Sequence, residues 1–127
     1  MERLMNPKSA IVIEPNRLLA GTLDDFLRGQ GFDVMLCTTH KGAAEAARAS
    51  GHTDLLAACI PASDDDRDGA YLDEVRGRQS GRLPTVLMLS DPDAADGTEP
   101  PDAVRLIKPF SKDQFVKAVQ EAMEGTA

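Results

Sequence analysis

The chain has 127 residues, 42% of them apolar, and a formal net charge of −7. That length suits one domain around one core, and no apolar run approaches the roughly 20 residues that span a bilayer. An acidic chain of pI about 4.7 with scattered Lys and Arg lacks the basic patch of a nucleic-acid binder.

The opening stretch, MERLMNPKSA, holds no apolar segment that would make a signal peptide, so a cytoplasmic protein is expected. The run AIVIE (10–14) predicts a strand that Pro15 and Asn16 break. Residues 17–29 place Leu19, Leu23, Phe26 and Leu27 on one helical face. Gly31 suits a left-handed turn after that helix. DVMLCTT (33–39) predicts the second strand, KGAAEAARAS (41–50) a small-faced helix, and DLLAACI (54–60) the third strand.

Four acids follow, Asp64, Asp65, Asp66 and Asp68, and read as a solvated loop. Residues 68–80 predict a helix with Leu72 and Val75 inward. PTVLMLS (84–90) is a continuous apolar run, the mark of a strand covered on both faces. DPDAADGTEPPD (91–102) holds three prolines and reads as a loop or a single helical turn. AVRLI (103–107) predicts a fifth strand, and 111–123 a helix with Ser111 as N-cap and Phe115, Val119 and Met123 on one face. Cys37 and Cys59 form no CxxC pair, and no Cys/His set has zinc-ligand spacing. His40 and His52 each stand alone near a turn and read as surface residues.

Five strands alternating with helices predict an α/β fold, a doubly wound parallel sheet with helices on both faces. Sites in such sheets lie beyond the carboxyl ends of the strands. The residues there are Glu14, Pro15, Asn16, Cys59, Ser90 and Lys108.

These residues, in this order, carry a resemblance. AIVIEPN, GFDV, DLLAAC, the DG at 68–69, PTVLMLS and above all LIKPF (106–110) resemble the receiver domain of bacterial two-component response regulators, over about residues 8 to 124 of a single domain spanning 1–127. The resemblance implies a flavodoxin-like sheet of order 2-1-3-4-5. It implies an acidic pair that holds Mg²⁺, a phosphoacceptor aspartate, a hydroxyl switch and a lysine followed by proline. Carried onto this chain, Glu14 matches the first acid, Ser90 the hydroxyl, and Lys108 and Pro109 the Lys-Pro pair. Pro15 falls on the second acid, Cys59 on the phosphoacceptor, and Arg105 on the aromatic switch position.

A thiol is a soft ligand, poor for Mg²⁺, and one carboxylate of three remains. The expectation is therefore a degenerate receiver that is not an enzyme, holds no metal or cofactor, and acts through a protein partner: a sensor kinase, an effector domain or another signalling protein. Neither nucleic acid nor membrane is expected to bind, and a homodimer is compatible. The loop after Cys59 is longer than the family's and the 91–102 segment shorter. Two alternatives stand beside this reading. Asp64, Asp65 or Asp66 takes the phosphoryl group as a displaced acceptor, or Cys59 serves as a thiol-based sensor. A Cys37–Cys59 disulfide is not expected, because an intervening strand would hold the two about 9–10 Å apart. Without an aspartate at 59, Lys108 is expected to pair with Glu14.

Overall fold

The computed structural model describes residues 8–50, 52–60, 83–90 and 103–124. The helix expected over 68–80, the acidic loop and the 91–102 segment lie outside the described residues. The described residues form five strands: β1 (Lys8–Ile13), β2 (Phe32–Cys37), β3 (Leu55–Ile60), β4 (Thr85–Leu89) and β5 (Val104–Ile107). Three helices accompany them among the described residues: α1 (Arg17–Arg28), α2 (His40–Ser50) and α3 (Lys112–Glu124). The sheet runs in the order β2-β1-β3-β4-β5 with every pairing parallel, as expected.

Every residue of β3 and β4 is buried. Alternate side chains serve opposite faces of a pleated strand, and both faces are covered. Val12, Leu55, Ala57, Val86 and Met88 pack with Leu23 and Leu27 of α1 and with Phe115 and Val119 of α3. Ile11, Ile13, Leu56, Ala58, Leu87 and Leu89 pack with Ala43, Ala44 and Ala47 of α2. Small residues on α2 let that helix lie close to the sheet. Among the described residues β5 is an edge strand, and its residues alternate between half-buried and exposed.

The helix ends follow local chemistry. Asn16 caps α1, its Oδ1 accepting the Leu19 N–H at 3.1 Å. Gly31, just past α1, has φ +93°, a backbone region open to glycine at little cost. Ser111 Oγ accepts the Gln114 N–H while Gln114 Oε1 accepts the Ser111 N–H, a reciprocal capping box at the start of α3.

Candidate functional site at the carboxyl ends of the strands

Period-two alternation decides what meets at this end of the sheet. Ala10 and Val12 face the α1/α3 layer, so Glu14, two residues on, continues that face. Leu55 and Ala57 lead in the same way to Cys59, Val86 and Met88 to Ser90, and Val104 and Leu106 to Lys108. The register sets their heights. Ile13 pairs with Ala58, so Glu14 lies level with Cys59, and Leu89 pairs with Ile107, so Ser90 lies level with Lys108.

The side chains converge as that parity requires. Lys108 Nζ lies 2.7 Å from Glu14 Oε1 and donates to Cys59 Sγ at 3.2 Å. Glu14 is 1% exposed and Cys59 3%. Glu14 Oε2 also accepts the Asn16 N–H at 3.1 Å, which ties the site to the cap of α1. The backbone holds the frame: the Lys108 N–H donates to the Leu89 carbonyl and the Ser90 N–H to the Ile60 carbonyl. Burial is the largest single influence on the Lys108 ammonium and pulls its pKa down. Hydrogen bonds and charge from Glu14 and Cys59 outweigh it and hold the pKa above the ordinary lysine value. The expected Glu14–Lys108 pair is therefore present. Pro15, Ser90, Arg105 and Pro109 are exposed, and the Lys108–Pro109 peptide is cis.

His40 corrects one expectation. It is 1% exposed rather than on the surface. The first turn of α2 meets the end of β3, where His40 Nε2 lies 2.8 Å from the Cys59 carbonyl. A carbonyl only accepts, so Nε2 carries the proton. A lone histidine near a turn gives no signal of this in sequence, because the helix that buries it is placed by the sheet. His52 is exposed as expected and meets Asp54 at 2.8 Å. Replacing His40 by leucine is expected to cost about 2 kcal/mol, the toll of leaving a buried carbonyl without its donor. Urea denaturation measures this, and a loss under about 0.5 kcal/mol would show that the bond contributes nothing net. Neither cysteine is in a disulfide, and burial raises the pKa of the half-buried Cys37.

The donor set does not fit Mg²⁺. That ion takes oxygens in an octahedron. Here an ammonium faces one Glu14 oxygen and a backbone N–H the other, Pro15 brings no side-chain oxygen, and sulfur stands at 59. Among the described residues no group of three or more His, Cys, Asp or Glu is placed to hold a metal. Nor, among them, is any helix long and apolar enough to cross a membrane.

Solved structures share this architecture. A response regulator receiver protein from Sinorhizobium medicae superposes with a TM-score of 0.81 at 18% identity, over 95% of this chain and 98% of that one. The receiver domain of the PhyR response regulator from Erythrobacter litoralis gives 0.77 at 22% identity, over 93% and 91%. The receiver domain of a sensor histidine kinase from Pseudomonas aeruginosa, solved with a magnesium ion coordinated in its active-site cleft, gives 0.75 at 18% identity, over 94% and 99%. The chain thus has the flavodoxin-like fold of response-regulator receiver domains. No protein-family model matches the sequence, and no curated protein matches it either.

Proposed function

We propose that the chain is a receiver-type module of two-component signalling that works without phosphoryl transfer, as a protein-interaction or regulatory domain in the cytoplasm. The unit is taken to span residues 1–127 around a core of about 8–124. One observation carries the reading: the lysine that would meet an incoming phosphoryl group is already paired with Glu14 at 2.7 Å, and its other neighbour is sulfur. Phosphoryl transfer relies on cations placed against the transferring oxygens and on an oxygen nucleophile held in line. Here the cation is held between Glu14 and Cys59 rather than open to a phosphoryl oxygen, and the acceptor position holds a thiol. What remains is the sheet end and its surrounding surface, which suits docking of a kinase, an effector domain or a second copy rather than catalysis.

Intact mass after incubation with acetyl phosphate and Mg²⁺ tests this. The wild-type chain is expected to gain no phosphoryl group. Cys59→Asp alone is expected to gain none, because Pro15 still removes a metal ligand. Cys59→Asp with Pro15→Asp is expected to take one up. A phosphoryl adduct on the wild type would overturn the reading and turn attention to Asp64, Asp65 and Asp66, which lie outside the described residues.

A further inference from the structure

Cys59 stands in a cluster of three chemical groups, and only one of them can be oxidised. We propose that Cys59 is a peroxide-oxidisable thiol whose reactivity is set by Lys108. The inference does not depend on the signalling reading above, since it is read on the sulfur and not on phosphoryl uptake.

Three observations carry it. The Lys108 ammonium donates to Cys59 Sγ at 3.2 Å, so the sulfur is held as an acceptor, the role that suits a thiolate. Glu14 Oε1, 2.7 Å from the same ammonium and 1% exposed, fixes the cation in place rather than leaving it to wander into solvent. The Lys108 side chain is 22% exposed, so the group that touches the sulfur is itself in contact with solvent.

Cys37 provides an internal contrast. It is the more accessible of the two thiols, and its burial raises its pKa. If access governed oxidation, Cys37 would react first. If the neighbouring cation governs it, Cys59 reacts first.

The step balances with hydrogen peroxide as the oxidant. The Cys59 thiolate, its proton already released to solvent, attacks one peroxide oxygen. An S–O bond forms and the O–O bond breaks. The departing hydroxide takes a proton from the Lys108 ammonium and leaves as water, and solvent reprotonates the amine. Sulfur loses two electrons and becomes a sulfenic acid, and the peroxide is reduced. The added oxygen enters a site where the sulfur is 3% exposed. The end of β3 and the Lys108 side chain must shift to admit it, and this is how the modification would register on the surface.

The native protein is treated with hydrogen peroxide in the presence of dimedone, and the labelled cysteine is located by peptide mass mapping over time. Cys59 is expected to label faster than Cys37 in the folded protein, and the preference is expected to vanish in urea. Lys108→Met combined with Glu14→Gln removes the cation without stranding a buried carboxylate. It is expected to slow Cys59 labelling about tenfold, the gain a nearby cation gives a thiol that is only a few per cent ionised near neutral pH, and to leave Cys37 unchanged. Faster labelling of Cys37 in the native wild type would overturn the proposal. So would an unchanged Cys59 rate in the folded double variant. The comparison of the two cysteines within the wild type decides the matter even if that variant does not fold.

Discussion

Lys108→Met is expected to lower the unfolding free energy by about 3 kcal/mol, and adding Glu14→Gln in the same chain to return most of that loss. The asymmetry follows from burial. Glu14 is 1% exposed, so a carboxylate left there without its cation keeps the full desolvation cost. The lysine side chain is 22% exposed, which places the loss at the lower end of the range for a broken buried pair. Urea denaturation of the two single variants and the double variant forms a cycle. Additive losses would show that Glu14 and Lys108 do not act as a pair. The pH dependence has a definite sign. The folded protein holds the Lys108 pKa above its unfolded value, so the charged form stabilises the fold. That contribution is complete below the ordinary lysine value, about 10.5, and is lost as pH climbs through the raised folded value. An alkaline fall in stability is therefore expected to be shallower in Lys108→Met than in the wild type.

Phe115→Ala carries the other large effect, a loss of about 4 kcal/mol. Phe115 is fully buried, tilted against Phe26 with centroids 6.2 Å apart and stacked on Phe110 at 5.8 Å. The Phe110 contact gives this substitution a reach beyond the core. Phe110 follows Lys108 and Pro109, so its ring anchors the segment that delivers the ammonium. Losing Phe115 is expected to loosen that segment and to raise the rate at which a thiol reagent reaches Cys59. A loss under about 1 kcal/mol would mean that α3 is not the clasp over the sheet described above.

The sheet was legible because its signals are strong and local. An unbroken apolar run such as PTVLMLS has one good home, a strand covered on both faces, and β4 is buried throughout. The four-residue spacing of Phe115, Val119 and Met123 brings all three to the core side of α3. Boundaries moved by a residue or two: β1 begins at Lys8 and β2 ends at Cys37, because pairing with neighbours rather than composition sets where a ladder stops. The Glu14–Lys108 contact was foreseeable from parity and from the absent aspartate. The burial of His40 was not. It depends on where the first turn of α2 meets the end of β3, a consequence of a crossover that no short window of sequence contains. The third bond of the cluster, lysine to sulfur, belongs to the same class, since two residues 49 positions apart meet only through the order of the strands.

The strand order also divides the site by how readily its parts can open. Cys59 sits in β3, paired on both sides, whereas Lys108 follows β5, which among the described residues is paired with β4 alone. Amides of β3 are then expected to exchange with solvent deuterium only through near-global unfolding, and those of β5 through cheaper local excursions. Each excursion that frees the end of β5 carries the ammonium away from the sulfur and from Glu14 while the rest of the sheet stays closed. The cluster is thus a latch with one fixed jaw and one that breathes, and its open fraction is set by a single edge strand.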